Sequence, residues 1–442
     1  MLSKKLLFAL ALTLAFAQPA LAATGEAAVN SGDTAFVLIS AALVLLMTPG
    51  LGFFYGGMVQ GKNVVNTLML SFGAMALVSV QWVICGYSLA FAPGASFAPG
   101  LVGSLKWLGL NGVGLLPNPT YAPTIPHQAF MIFQCMFAII TPALISGSIV
   151  ERVRFTSFMI FMAAWTTLVY DTVAHWAWSS DGWLHALGAL DFAGGTVVHI
   201  TSGVSGLVAA MVLGPRADHG QPSTPNNLPF VILGASMLWF GWFGFNAGSA
   251  LSIDGIATLA FVTTHTAAAA GACTWMAFDH FRHRKVTVIG AVSGMVAGLV
   301  AITPAAGYVS PMAALAFGAL SAVACYVAQH WKDWAAIDDT LDAFTVHGVG
   351  GILGALLTGV FACKALNPGG ANGLLYGNPH QLVVQAIAVA ATVAFSAGST
   401  FVILKAIAAF KGLRVQRAVE LQGLDTYHTV NAAPPRIWYE VI

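Results

Sequence analysis

The segment Asp191-Phe-Ala-Gly-Gly-Thr-Val-Val-His199 in one half of the chain has a partner, Asp342-Ala-Phe-Thr-Val-His347, in the other half. Each segment places a histidine in an apolar, glycine-containing stretch, five to eight residues after an aspartate. An ionisable side chain is expensive at membrane depth, so it is a functional candidate wherever a hydrophobic span contains one. Two histidines in matching contexts predict one buried site between two repeated halves of a membrane protein.

Composition places most of the chain in a lipid bilayer. Of its 442 residues, 58% are hydrophobic and 7% are charged, whereas soluble domains carry about 25% charged residues. The net charge of +1 comes without a basic stripe, so we expect no nucleic-acid partner. The five cysteines form no C-x-x-C pair, and we expect no disulfide framework, no metal and no cofactor.

The N-terminus has the pattern of a cleaved signal peptide. Lys4 and Lys5 precede an apolar run, and Ala20-Leu21-Ala22 is a small-residue cleavage signal. We therefore expect cleavage of residues 1–22, a membrane domain over 23–410 and a cytoplasmic tail over 411–442. The mature N-terminus would lie outside the cytoplasm of a bacterial cell.

Long apolar runs recur along the mature chain, and runs of about 18–25 residues can cross a bilayer as helices. They predict an all-α integral membrane protein with eleven transmembrane helices, near 34–58, 66–91, 127–150, 155–178, 193–214, 228–251, 256–278, 286–304, 310–331, 343–362 and 380–410. The proline-rich connection over 92–126 is expected to be an irregular cap. Glycines repeated at four-residue spacing, Gly290, Gly294 and Gly298 as well as Gly350 and Gly354, predict closely packed helices.

The charges predict the orientation of these helices. Two of the seventeen Lys and Arg residues lie in the signal peptide. If the N-terminus is outside and the spans alternate in direction, thirteen of the others fall on the cytoplasmic side and two, Lys106 and Lys364, fall on the outer side. This positive-inside bias predicts an N-out, C-in protein of the bacterial inner membrane.

The spans contain few polar groups that could carry chemistry. Besides His199 and His347 they hold Asp171, with Asp191 where the fifth span begins, and they are rich in aromatic residues. Two imidazoles among aromatic rings, with almost no charge, suit a small and nearly neutral solute. We interpret the other histidines of the spans and their outer ends, His175, His185 and His265, as packing residues.

The two aspartates are expected to act at helix starts. Asp191 would cap the fifth span by accepting hydrogen bonds from free backbone N–H groups, and it could also make the outer mouth attractive to cations. By the same logic Asp342 would cap the start of the tenth span, on the cytoplasmic side.

Several longer motifs resemble the ammonium transporter/Rh family, and bacterial ammonium transporters most of all. They run in order along the mature chain: Thr48-Pro-Gly-Leu-Gly-Phe-Phe-Tyr-Gly-Gly57 with Gly61-Lys-Asn63, Glu151-Arg152, Ala174-His-Trp-Ala-Trp178, Gly188-Ala-Leu-Asp-Phe-Ala-Gly-Gly-Thr-Val-Val-His199, Gly241-Trp-Phe-Gly-Phe-Asn-Ala-Gly-Ser249, Thr303-Pro-Ala-Ala-Gly-Tyr308 and Val346-His-Gly348.

The resemblance implies an ammonium transporter that works as a homotrimer, each subunit having its own pore made of two inverted five-helix repeats and an eleventh helix. It also implies residue roles. Phe137, Trp178 and Ser249 would form an outer cage that binds ammonium (or methylammonium as an analogue), Phe137 and Phe245 would form a gate, and Trp242, His199 and His347 would line the pore. Phe54 and Tyr55 match a motif that packs near the pore.

Two related functions stay open at this point. The chain could be an ammonium sensor that signals through a partner, or an Rh-like channel for ammonia or carbon dioxide, although Trp178 and Ser249 favour a cation-recruiting site. An enzyme is disfavoured, because no third metal ligand or carboxylate accompanies the histidines. The motifs also leave open whether a proton crosses with ammonia.

The resemblance further implies regulation by a PII-family signalling protein at the cytoplasmic tail. The tail departs from the family pattern at two places: Gln416 follows Gly412-Leu-Arg-Val415, and Thr426-Tyr-His-Thr429 follows Gly423-Leu-Asp425. We still expect this regulation, because the core elements of the tail are present.

Overall fold

The computed structural model describes residues 29–221 and 224–428. Two predictions reach beyond these ranges: the signal peptide, residues 1–22, lies wholly outside them, and so does the end of the tail, residues 429–442.

Within the described residues, every predicted span coincides with a helix, and ten of these helices are long and apolar enough to cross a membrane. The ten are α1 Ser31–Met58, α2 Gly61–Phe91, α3 His127–Ile149, α4 Phe155–Leu187, α5 Gly195–Leu213, α6 Leu228–Ala250, α7 Gly255–His283, α9 Pro311–Trp334, α10 Phe344–Phe361 and α11 Pro379–Phe410. The predicted eighth span is a shorter apolar helix of 15 residues, α8 Val288–Ile302. The fold is therefore that of an all-helical membrane protein.

Polar residues determine where several helices begin. The side chain of Asn227 accepts a hydrogen bond from Phe230 N, Asp254 accepts from Ile256 N and Ala257 N, and Thr287 accepts from Gly290 N. Each of these side chains satisfies a backbone donor that the first turn of a helix leaves without a partner.

In the part of the chain that the structure describes, four helices contain a π-helical turn. These turns cover Trp82–Gly86 in α2, Thr166–Tyr170 in α4, Gly195–Ile200 at the start of α5 and Phe344–Val349 at the start of α10. The turns in α5 and α10 contain the two histidines of the sequence motif. Single π turns inside α-helices are often found at functional sites.

Small residues allow the close helix packing that their spacing predicts. A Cβ atom added to Gly294 would lie 2.5 Å from Gly271 O, and one added to Gly354 would lie 2.3 Å from Ala301 O. The backbones of α7 and α8, and of α8 and α10, therefore touch directly. Helix α3 lies at the centre of the bundle and is buried along almost its whole length.

The bundle has two polar faces, which we name after residues that they carry. The Ser249 face is covered by the 92–126 connection, which is mostly irregular, as predicted, and includes a small antiparallel sheet of β1 Pro117–Asn118 and β2 Ala122–Pro126. The Arg152 face, on the opposite side, carries Arg216 and the described part of the tail.

The tail lies against the Arg152 face rather than extending from it. Val415 N donates to Arg152 O at 3.1 Å, and Arg154 N donates to Leu413 O at 2.8 Å. A short helix, α12 Arg417–Gln422, follows. Its Glu420 accepts hydrogen bonds from Ala217 N and from the guanidinium of Arg414.

Candidate functional site

His199 and His347 are in contact at the centre of the bundle. Their Nδ1 atoms are 3.2 Å apart and their ring centroids are 5.2 Å apart. Both side chains are buried. Since a neutral imidazole has one donor and one acceptor nitrogen, this contact requires one ring to donate through Nδ1 and the other to accept. The sequence motif predicted this pairing.

Two glycines bring the histidine-bearing helices together. Gly203 follows His199 by four residues, and a Cβ atom added to it would lie 2.1 Å from Gly348 N. Gly351 follows His347 by four residues, and its added Cβ atom would lie 3.0 Å from His199 Cβ. Each half of the site thus has a glycine one turn after its histidine that makes room for the other half.

Asp191 caps the π turn that carries His199. Its carboxylate accepts hydrogen bonds from Gly194 N at 3.0 Å, Thr196 N at 2.9 Å and Val197 N at 3.0 Å. Burial raises the pKa of this carboxyl, which lies just before the α5 span, and the backbone N–H donors oppose the rise. Its backbone carbonyl also accepts from Trp178 Nε1 at 2.9 Å, so this residue orients an aromatic side chain as well.

The expectation that Asp342 caps the tenth span is wrong. Asp339 has that role: its carboxylate accepts from Ala343 N at 3.2 Å and from Phe344 N at 2.9 Å. The carboxylate of Asp342 is instead occupied by Lys332 and by Gln329 Nε2. Asp342 has a positive φ of 58°, which turns the chain between the capping aspartate and the helix.

Spacing could have identified the capping aspartate. Asp339 precedes His347 by eight residues, as Asp191 precedes His199 by eight residues. The motif Asp342–His347 begins at the later aspartate and therefore does not include this match. Burial raises the pKa of Asp339, while the charge of Lys332 opposes the rise. The two caps therefore share their spacing and their burial, and Asp191 accepts from three backbone N–H groups where Asp339 accepts from two.

A column of aromatic rings leads from the histidines toward the Ser249 face. Trp242 and Phe245 lie beside His199, with ring centroids 5.5 and 6.0 Å away. Phe137 packs against Phe245 at 4.3 Å. The indole of Trp242 is held by a 2.9 Å hydrogen bond from Nε1 to Thr303 Oγ1, the first residue of the Thr303–Tyr308 motif.

The structure brings the predicted cage residues together where this column reaches the Ser249 face. Trp178 lies edge-on to Phe137, with centroids 5.8 Å apart, and both rings line an open cavity with Ser249. The Ser249 hydroxyl donates to Phe245 O at 2.9 Å, so its lone pairs are left to accept a hydrogen bond. The cavity wall also includes Tyr121 and Gln134, which the sequence analysis did not identify.

Two more cavities continue the line through the bundle. The central one is about 10 Å³ in volume, room for about one water-sized molecule, and His199 and His347 are the polar residues in its otherwise apolar and aromatic wall. The next opens toward the Arg152 face, where Glu151, Arg216 and Asp342 line it, with His347 at its inner end. Phe54, expected near the pore, borders both cavities.

Residues outside this line have structural contacts. His175 Nδ1 contacts Ala90 O at 3.0 Å, and His265 stacks on Trp239. Asp171 accepts a 2.7 Å hydrogen bond from Gln81 Nε2. Among the described residues, no group of three or more His, Cys, Asp or Glu side chains is arranged to hold a metal ion.

The profile of the Ammonium Transporter Family matches residues 35–433. The chain belongs to this family. An ammonium transporter of Bacillus subtilis is 51% identical over 399 residues, which cover 89% of this chain and 96% of that protein. An ammonium transporter of Aquifex aeolicus is 45% identical over 91% of this chain and 93% of its own length.

Solved structures agree with this assignment. The crystal structure of Saccharomyces cerevisiae Mep2 is similar with a TM-score of 0.82 and 36% identity, covering 88% of each chain. A structure described as a sensor Amt protein has a TM-score of 0.83 and 31% identity, and it covers 91% of this chain and 98% of that one. Membership of the ammonium transporter family, together with ten apolar spans, makes this a multi-pass membrane protein of a transporter family rather than of an enzyme class.

Proposed function

We propose that this protein carries ammonium nitrogen across the membrane by binding NH4+ at one face, removing a proton and passing NH3 between the two histidines. The observation that carries the proposal is the buried His199–His347 contact inside an apolar passage between two open cavities. Family membership supports the same substrate.

Recruitment would begin in the cavity of the Ser249 face. The rings of Phe137 and Trp178 attract a cation by about 0.5–2 kcal/mol per contact. The free lone pairs of Ser249 accept a hydrogen bond from ammonium, which potassium cannot donate. The cage therefore concentrates ammonium, although its rings alone would also tolerate potassium.

Selection would occur at the ring pair Phe137–Phe245. Beyond these rings the passage is apolar and holds about one small molecule. Moving an unpaired cation into such surroundings costs much more free energy than binding in the aromatic cage provides. Ammonium can leave its proton behind and cross as ammonia, whereas potassium has no neutral form.

The histidine pair would make the narrow part passable for a polar molecule. With Nδ1 of one ring donating to Nδ1 of the other, each ring keeps Nε2 for other partners, and His199 Nε2 has no hydrogen-bond partner among the described residues. Passing ammonia could therefore bond to imidazole nitrogen in the central cavity. The same pair could relay the released proton, so transport of ammonia alone and transport with a proton are both compatible with this site.

Assembly and orientation form part of the proposal. We propose a homotrimer in the bacterial inner membrane with the Ser249 face outside and the Arg152 face in the cytoplasm. The shorter helix α8 would also cross the membrane, which makes eleven spans. The positive-inside bias supports this orientation. A docked tail on the Arg152 face would be accessible to a PII-family protein, which supports that predicted partner.

The test is uptake of radiolabelled methylammonium by purified protein in liposomes, with current recorded in parallel under an ammonium gradient. We expect saturable uptake that ammonium competes for and that potassium does not. Current that follows ammonium would show that a proton accompanies ammonia, and uptake without current would show net ammonia flow. Binding of ammonium without any uptake would contradict the proposal and favour a sensor.

A further inference from the structure

We propose that Gln385 of α11 is a positioning residue for the ammonium cage and for the histidine pair. It fixes the backbone directly before Asp191, which in turn holds the indole of Trp178 and the turn that carries His199. The inference rests on the proposed function, because the site that Gln385 supports is the one described above. Gln385 itself lines none of the three cavities and belongs to none of the sequence motifs.

The segment 188–194, which connects α4 to α5, is irregular backbone inside the bundle. Leu190 and Asp191 in this segment are both buried. Irregular backbone at membrane depth is tolerated only where neighbouring protein groups satisfy its N–H and C=O groups. The segment therefore needs hydrogen-bond partners from a neighbouring helix, and an apolar side chain cannot provide them.

The side chain of Gln385 provides these partners for Leu190. Its Oε1 accepts from Leu190 N at 2.7 Å, and its Nε2 donates to Leu190 O at 2.8 Å. Gln381, one turn earlier on α11, donates from Nε2 to Gly188 O at 2.9 Å. Helix α11 thus fixes two alternate residues of the segment through the amides of two glutamines.

Gln385 also joins this segment to the helix that carries the other histidine. Its Nε2 donates to Ala355 O of α10 at 3.1 Å, and the side chain is 1% exposed. Gly359 of α10 leaves room for it, since an added Cβ atom there would lie 3.0 Å from Gln385 Cγ. One amide on a helix that carries neither histidine therefore contacts both halves of the site.

The hydrogen bonds of Gln385, rather than its volume, carry the proposed role. Q385L fills a similar space but leaves Leu190 N and Leu190 O buried without partners, which is unfavourable. Thr392, seven residues further along α11, provides a matched control. It is buried and its hydroxyl has no hydrogen-bond partner among the described residues, so T392V removes a buried polar group of α11 without removing a hydrogen bond.

Hydrogen–deuterium exchange of the full-length protein in detergent tests the positioning. We expect the amides of residues 190–197 to exchange at least about 10-fold faster in Q385L than in the wild type, with T392V like the wild type. If Q385L does not fold, Q385M offers the same comparison with a more adaptable apolar side chain. Unchanged exchange at residues 194–197, or exchange that is faster throughout the chain, would overturn the proposal.

Methylammonium uptake by liposomes tests the link to the cage. We expect the half-saturating concentration to rise about 2–30-fold in Q385L, which corresponds to the loss of one cation–π contact, and to stay unchanged in T392V. A role in folding alone would lower the maximal rate without changing the half-saturating concentration, and that result would overturn the proposal. Absence of uptake by the wild type would contradict the proposed function instead, and the exchange measurement, which needs no transport, would still decide whether Gln385 holds the segment.

Discussion

Each histidine of the pair is held by residues of its own half: an aspartate eight residues before it, a π turn around it and a glycine four residues after it. The aspartates act on backbone N–H groups rather than on the imidazoles. They therefore determine where the π turn begins, and with it the depth at which the ring enters the passage.

Replacing Asp339 separates this role from that of its neighbour. Asp339→Ala leaves Ala343 N and Phe344 N without acceptors, and we expect a loss of about 0.5–2 kcal/mol in stability and a severe loss of methylammonium uptake. Asp342→Ala is the matched control, because it leaves the cap in place and should retain most uptake. Equal uptake by the two variants would refute the positioning role of Asp339.

Local pattern identified the histidines, whereas only the eight-residue spacing shared by the two halves ranks Asp339 above Asp342. His199 and His347 stood out because ionisable groups are rare in apolar spans. Asp339 and Asp342 lie three residues apart outside the span, and either can precede a helix. Which one caps depends on the left-handed backbone at Asp342 and on Lys332, a residue of another helix. Both features depend on the folded chain and cannot be read from the local sequence.

At the scale of helices, backbone contact between α5 and α10 keeps the histidines within reach of each other. The Gly203–Gly348 approach leaves no space for a methyl group. Span positions were predictable to within a few residues for most helices, since bilayer thickness sets their length. The π turns were not, because apolar periodicity does not distinguish a π turn from the α-helix around it.

Substitution of Gly203 tests the helix contact. In Gly203→Ala the new Cβ would overlap the backbone of α10, and we expect destabilisation of about 1–3 kcal/mol or more, seen as a lower melting temperature in detergent, with reduced uptake. Gly398→Ala is the control, because an added Cβ on this helical glycine of α11 meets no atom within 4 Å. An unchanged melting temperature for Gly203→Ala would show that α5 and α10 are not in direct contact.

A buried ion cluster ties loops together on the Arg152 face. Arg216 contacts Asp338 at 3.0 Å and Glu151 at 2.5 Å, and Arg152 Nη2 donates to Asp338 O at 2.6 Å. Burial lowers the pKa of Arg152 to about 10, and the charge of Asp338 opposes this. Burial alone would raise the pKa of Asp338, but hydrogen bonds from Arg216 and the charge of Arg152 lower it overall.

The lowered pKa of Asp338 predicts an acid-dependent contribution to stability. A group whose pKa is lower in the folded state stabilises the protein above its unfolded pKa, near 3.9 for Asp, and the contribution is lost as pH falls through the folded pKa. We expect Asp338→Asn to melt at a lower temperature than the wild type by a constant amount from pH 8 to pH 5. Below about pH 4 the difference should shrink, and a difference that grew on acidification would contradict this assignment.

At the scale of the whole molecule, the described part of the tail packs onto the Arg152 face of the same chain. It forms hydrogen bonds to α2, to the α3–α4 connection and to residue 217 after α5, through Lys62, Arg152 and Ala217 among others. The sequence predicted a cytoplasmic tail from its polarity. The tail is held by an isolated antiparallel β-bridge between Val153 and Arg414. No local sequence pattern predicts this pairing.

Arg414 and Arg417 differ in a way that tests the docking. Arg414 pairs with Glu420 at 2.8 Å and reaches Leu213 O at 3.3 Å, whereas the Arg417 side chain is exposed. We expect Arg414→Ala to make residues 411–428 markedly more sensitive to limited chymotrypsin digestion in detergent. Arg417→Ala should leave the cleavage rate unchanged. Equal rates for both variants would argue against a docked tail.

The central claim is that neutral ammonia passes between His199 and His347 while potassium is excluded by the apolar passage. The most direct measurement is ammonium and potassium transport by the same liposomes containing wild type, His199→Ala or His347→Ala, with matched protein content. We expect ammonium uptake without potassium transport in the wild type, and in each variant a strong loss of ammonium uptake or the appearance of potassium transport. Unchanged ammonium uptake and unchanged selectivity in both variants would contradict it.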